Sequence, residues 1–217
     1  MKKHLRLLAA QLFAAVLVLS ALTALSGPAH AGTPADDAAL AAEWRAAWDT
    51  HRFHETTPPA PGSGRSRAQD SISITIDAPV ARVFPAYSDF SNHIGKHSFL
   101  KRVVVHKSCF VRGERHINLT AVEEIPYEGT IVTSNTHAQQ RIDYAGLYYE
   151  TDSWTFPGVV THQRIVFTKL PGGRTRVTED LTFDADTSMI DFALANGVSS
   201  HRATQAALKQ AIENHDL

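Results

Sequence analysis

The chain has 217 residues and a formal net charge of −1 at neutral pH, so it lacks the positive surplus with which nucleic-acid binders hold phosphates. Hydrophobic residues make up 43% of it, enough to build a packed core and too many for wholesale disorder. The single Cys109 excludes an intramolecular disulfide, so the folded part must be held by burial, and this thiol reads as a small buried hydrophobe.

Lys2, Lys3 and Arg6 precede an apolar run from Leu7 to Leu25, and Ala29-His30-Ala31 supplies a small-residue cleavage site. Residues 1–31 are therefore expected to be a signal peptide, and the protein to be secreted or extracytoplasmic. If retained, the same run is about long enough to anchor in a bilayer. Without it the chain carries 18 Lys and Arg against 22 Asp and Glu, a mildly acidic balance of −4. Residues 32–70 form an extension. Asp36 and Asp37 suit the start of a helix running to Phe53, with Leu40, Trp44 and Trp48 on one face. That face can dock on the folded domain or make a peripheral membrane contact. Docking is favoured because the segment has no basic face. Residues 56–70 are rich in Pro, Gly, Ser and Arg, which is linker composition.

The folded domain is placed at 71–217. Ser71–Asp77 alternates isoleucine with small polar residues, the period of a half-buried strand. Pro79 opens a short helix to about Ser88, and a second short turn follows over Asp89–Gly95. The period then becomes two. Strands are expected over Leu100–Lys107, Glu114–Glu124, Tyr127–His137, Leu147–Phe156, His162–Leu170 and Thr175–Asp184, the last two joined through Pro171-Gly172-Gly173-Arg174. From Thr187 onward the residues favour a long helix, with Ile190, Leu194, Gly197, His201, Leu208 and Ile212 on one face and Asp186 or Thr187 as its cap. Short turns between successive strands imply an antiparallel sheet, and one of this size curves and can clasp the last helix.

The stretches ITIDAPVARVFPAYSDF (Ile74–Phe90) and LPGGRTRVTEDLTFD (Leu170–Asp184), with the final helix, resemble the START/Bet v 1-like (SRPBCC) superfamily of polyketide cyclases, coenzyme Q-binding proteins and lipid-transfer proteins. The resemblance implies an α+β helix-grip fold: a seven-stranded curved antiparallel sheet wrapped around a long C-terminal helix, with two short helices after the first strand. It also implies a cavity between sheet and helix that takes a small hydrophobic molecule such as a lipid, a polyketide or an isoprenoid.

Strand alternation nominates side chains for that cavity. Glu179 shares a face with Val177, Leu181 and Phe183, and Arg115 with Ile117, Leu119 and Ala121. Gln163 lies with Ile165 and Phe167, and Trp154 is placed among the lining residues of its strand. On the helix, Gly197 leaves room for a ligand or for close approach of the sheet, and His201 can serve as a base near neutral pH. A charge on an apolar face needs a partner, so Glu179 and Arg115 are either polar anchors for a head group or a structural ion pair. Twelve histidines invite a metal reading, but no H-E-x-x-H, Cys/His set, P-loop or dinucleotide fingerprint occurs, and neither metal nor cofactor is expected. The expected function is binding of a small hydrophobic ligand without catalysis. The alternative is a cyclase or dehydratase in which Glu179, Arg115 or His201 moves protons.

Overall fold

A computed structural model describes residues 33–51, 57–127, 130–155 and 158–217. The segment read as a signal peptide lies outside the described residues. Helix α1 (Pro34–His51) comes first, followed by strand β1 (Arg65–Ile76), helix α2 (Val80–Ser88) and a 3₁₀ turn, η1 (Phe90–His93). Six strands come next: β2 (Leu100–Val111), β3 (Glu114–Tyr127), β4 (Thr130–Asp143), β5 (Tyr148–Thr155), β6 (Val159–Leu170) and β7 (Arg174–Asp186). Helix α3 (Ile190–Glu213) closes the chain.

All seven strands lie in one antiparallel sheet of order β1-β7-β6-β5-β4-β3-β2. Strands β2 to β7 form a meander, and β1 adds to the free edge of β7. The turns follow from residue type. Arg112 and Gly113 both have positive φ and make the two-residue connection of β2 to β3, while Gly172 and Gly173 do the same work between β6 and β7. Register shifts at Leu100/Arg102 and Val105/Lys107 mark bulges that bend the β2 edge. The sheet curls far enough that Ile117 and Leu119 of β3 share one apolar cluster with Val177 of β7 and with Leu208 and Ile212 of α3. The last two are fully buried, each stabilising the docked helix by about 1.5–3 kcal/mol.

Several boundaries differ from the pattern-based expectation, and three of them have a clear cause. Strand β1 starts at Arg65, not Ser71, because its arginines are paired: Arg67 holds Asp184 through two bonds of 2.7 and 2.6 Å, and Arg65 bonds the carbonyls of Gly158 and Asp184. Strand β4 runs on to Asp143, since Ala138, Gln140 and Ile142 continue its buried face. Neither Asp186 nor Thr187 caps α3. Asp186 pairs with Arg65 at the end of β7 and Thr187 bonds Gly64 O, so the helix begins after Met189 without a side-chain cap. Asn196-Gly197 does not interrupt the helix.

Helix α1 docks on the outer face of the sheet. Trp44 is 3% exposed, donates Nε1–H to Ala138 O at 2.7 Å and stacks on Trp48. If residues 65–70 are strand and not linker, Arg67→Ala strips a largely shielded carboxylate of its partner and should lower unfolding free energy in urea by about 1–3 kcal/mol. A loss within measurement error would return this segment to the linker.

Candidate functional site

The inner face of the sheet is built by parity. Register aligns Ile117, Gln140, Thr151, Gln163 and Leu181 across β3 to β7, and every second residue on each strand joins them. This face has two unlike regions.

The first is apolar. A cavity of about 340 Å³ lies between β2–β4 and the short helices α2 and η1. Phe90, Ile94, Val103, Ile117, Leu119, Ile142 and Tyr144 wall it, with Ser88, Asp89, Ser91, Gln140 and Arg115 as its polar members. Its β2 side is open, since Val105 is 56% exposed and Ile94 41%. Arg115 stands on its wall, directly across from Phe110 in the register, and donates Nε–H to Ser108 Oγ at 3.0 Å. Among the described residues no carboxylate pairs with this guanidinium. Its lining includes no residue of α3. A larger dent of about 410 Å³, formed by Gln69–Ser71 and Asp180–Thr182, is a shallow, polar feature of the β1–β7 edge that no helix roofs.

The second region is polar and lies against the middle of α3. Glu179, 3% exposed, is met by three side chains from two helices. Tyr87 of α2 donates its hydroxyl to Oε1, and Gln205 donates its amide to the same oxygen at 3.0 Å. His201 Nδ1 donates to Oε2 at 2.7 Å. Burial pushes the Glu179 carboxyl upward, but the bond and charge of His201, with Tyr87 and Gln205, outweigh it and hold the group below the ordinary carboxylate value. Burial and the Glu179 charge raise Tyr87 and Tyr149 well above the usual phenol range, so both stay neutral donors.

Around His201 the walls are hydroxyl-rich. Gln163 Nε2 approaches His201 Nε2 at 3.4 Å, Ser153 meets Thr161 at 2.5 Å, and Thr136 bonds both Thr155 and Glu123. Burial raises the Glu123 carboxyl. His97, bonded to Ser200 Oγ at 2.9 Å, is lowered to about 4 by burial and by the charges of His201 and His93.

The structure thus gathers Glu179, His201 and Gln163 at one point, and seats Phe183 on Gly197. A Cβ at Gly197 would lie 2.5 Å from Phe183 Cζ, so that glycine serves the close approach of the sheet. Arg115 is not with Glu179, and the two form neither a shared anchor nor an ion pair. Trp154 is on the wrong face for the cavity. It stacks between His51 and His137 under α1, because the inner residues of β5 are Tyr149, Thr151 and Ser153. Pattern reasoning missed Tyr87 and Gln205. Tyr87 sits on a short helix with no alternation to read, but Gln205 lies four residues after His201 and was legible by helical spacing.

No protein-family model matches the sequence, and no curated protein does. Solved structures do. StfQ, a di-domain ARO/CYC from the steffimycin biosynthetic pathway, superposes with a TM-score of 0.54 at 19% identity over 68% of this chain. The chain spans 46% of StfQ. The Zhui aromatase/cyclase from Streptomyces sp. R1128 gives 0.53 at 16% identity, covering 70% of this chain and 96% of its own. A START superfamily protein from Mycobacterium smegmatis gives 0.53 at 15% identity, covering 67% and 97%. At these identities the likeness concerns the fold alone: the chain shares the helix-grip architecture of these structures. Among the described residues no helix is long and apolar enough to cross a membrane, and no group of three or more His, Cys, Asp or Glu could hold a metal.

Two outcomes test this description. Gly197→Ala should destabilise by about 1–3 kcal/mol in urea unfolding, and Phe183→Leu in the same chain should recover part of the loss. The His97 imidazole has a folded value of about 4 against an ordinary 6.5. Between those values the unfolded chain binds a proton that the folded one refuses, so stability falls as pH drops through that window, by about 3 kcal/mol at most. His97→Gln should flatten this acid limb between pH about 6.5 and about 4, measured by urea midpoints across the range.

Proposed function

We propose that this protein, once exported, holds a small amphipathic molecule on the inner face of its sheet, with the apolar body under α2 and η1 and an anionic or strongly accepting group at Arg115. Export rests on the residues of segment 1–31, and the amphipathic ligand rests on the cavity. The observation that carries the reading is the 340 Å³ hollow with apolar walls and one guanidinium that no carboxylate pairs with among the described residues. Small-molecule sites have this make-up, mostly apolar surface with few placed polar groups, and begin at about 300 Å³. An arginine with spare N–H donors recognises a carboxylate or phosphate in two-pronged geometry. Proteins of this fold include the aromatase/cyclases named above, which is why a ring-containing apolar body fits as well as an acyl chain.

Catalysis is the second reading, and one observation favours it. Glu179 orients the imidazole of His201, an arrangement able to move protons.

The binding reading is tested with decanoate and its methyl ester as probes, followed by calorimetry. The acid should bind at least about tenfold more tightly than the ester, and Arg115→Met should erase that difference while the ester is unaffected. Ile117→Trp, which fills the cavity, should abolish both. Equal affinity for acid and ester, or binding that survives Ile117→Trp in a folded variant, would remove the proposal. Native mass spectrometry of protein purified from its host should show a retained small molecule.

A further inference from the structure

We infer that the exposed edge of the sheet at β2 is a docking surface for an anionic lipid bilayer, into whose interface the tip of the β2–β3 hairpin inserts Phe110. The inference goes beyond the binding reading above and stands whether or not the cavity is filled. The tryptophan face of α1 is closed to such a contact, because Trp44 is buried against the sheet.

The first support is apolar. Phe110 is 69% exposed and Val111 42%, at the end of β2 beside the turn of Arg112 and Gly113. Phe110 faces Arg115 and Val105 faces Leu119 in the β2–β3 register, so both project from the inner face. They stand four residues of β3 apart, roughly 13 Å. Single exposed apolar side chains are ordinary on a protein surface, but here Ile94, Val105, Phe110 and Val111 gather on one strand and the turn before it.

The second support is charge, which selects the partner. Residues 96–116 carry six Lys and Arg against Glu114 alone, a surplus of five positive charges. The rest of the chain has 15 Lys and Arg against 21 Asp and Glu. Two of the six are engaged, Lys101 by Glu124 at 3.6 Å and Arg102 by Asp37. Among the described residues no carboxylate pairs with Lys96, Lys107, Arg112 or Arg115, and Glu114 is itself met by His116 at 3.3 Å. An acidic protein with one cationic edge turns that edge toward a negative surface. Exposed Phe and Val flanked by such cations suit a bilayer interface, where the apolar groups enter the headgroup–acyl boundary and the cations hold lipid phosphates.

A second copy of this chain fits the edge poorly. The bulges at Leu100/Arg102 and Val105/Lys107 break the even row of N–H and C=O groups that strand addition needs, and Lys107 stands exposed on that row. A twofold pairing would also set two like-charged rims face to face. Docked on a bilayer, the edge brings the open side of the cavity to the membrane, because Ile94 and Val105 belong to both the rim and the cavity wall.

The test is flotation of the full chain with vesicles of phosphatidylcholine alone and of phosphatidylcholine with about 30% phosphatidylglycerol, at low salt and at about 0.5 M salt. The wild-type chain should partition at least about tenfold more strongly onto the anionic vesicles, and salt should remove most of that gain. Lys107→Gln combined with Arg112→Gln should erase the anionic preference. Phe110→Ser should weaken binding to anionic vesicles about fivefold or more. Ile131→Ser on β4 and Phe192→Ser on α3, at exposed apolar positions off this edge, should bind as wild type does. Residues 1–31 are the same in every variant, so any binding they add is common to all. A wild-type chain with no preference for anionic vesicles, or β2 variants that bind as wild type does, overturns the inference. A dimer in analytical ultracentrifugation that Phe110→Ser dissociates, with no vesicle binding, gives the edge to a second copy and overturns it as well.

Discussion

The fold depends on one buried carboxylate. Glu179 lies on β7, the second strand of the sheet order, flanked by β1 and β6, and it gathers Tyr87 from α2 with His201 and Gln205 from α3. An ionised carboxyl with no water must find donors for both oxygens, and here they come from two separate helices. Apolar burial of Leu208 and Ile212 supplies affinity between α3 and the sheet but little direction. The donors at Glu179 fix the rotation of α3 and the position of α2, since the cost of leaving this group unpaired exceeds that of a modest packing defect. The interactions are divided along α3: the polar pin lies between an apolar contact of Ile190 and Val198 with Ile72, Leu181 and Phe183 and a second one made by Leu208 and Ile212.

That division explains why the inner face is not uniform. Toward β2–β4 the side chains are Val, Ile and Leu, and the roof consists of two short elements, so volume remains open. Toward the middle of α3 the walls are Thr, Ser, Gln and Glu, and the space is filled by hydrogen bonds. A ligand crossing from one region to the other meets a change from dispersion contacts to directed polar ones, which is how sites of mostly apolar surface select orientation. Relatives of known fold include aromatase/cyclases, but shared architecture says nothing of which polar groups this chain places where.

Much of this was legible in the sequence because strand parity is a strict period. Glu179, Gln163 and Arg115 were assigned to the inner face by alternation alone, and they are there. Trp154 failed by one residue of phase: a large aromatic looks like a cavity wall, yet β5 turns Tyr149, Thr151 and Ser153 inward and leaves Trp154 for α1 to cover. Gly197 was read as room for a ligand or as a place of close approach, and only coordinates could decide for the second, since a phenyl ring fills the space. The start of β1 was hidden because arginine and serine suggest a linker, and their strand character comes from carboxylates and carbonyls on β7 and the β5–β6 turn. That Arg115 and Glu179 do not meet could not be read at all, since alternation gives the face of a residue and not its distance along a curled sheet.

The roof of the apolar cavity is tied to the same carboxylate. Tyr87 belongs to α2, and its carbonyl accepts from His93 Nε2 of η1 at 2.8 Å. Tyr87 in turn donates to Glu179. Helix α2 has only nine residues with Pro85 inside it, and η1 has four, so neither is stable by itself and their position is set by these bonds and by aromatic packing against Phe167. Local opening draws on the least stable elements first. The roof of the cavity is held to the sheet by the Tyr87 hydroxyl bond to Glu179. A group that withdraws His201 from Glu179 changes the charge that Tyr87 feels, because both bond the one carboxyl group. The roof over β2–β4 and the middle of α3 are therefore joined through a single ionised side chain.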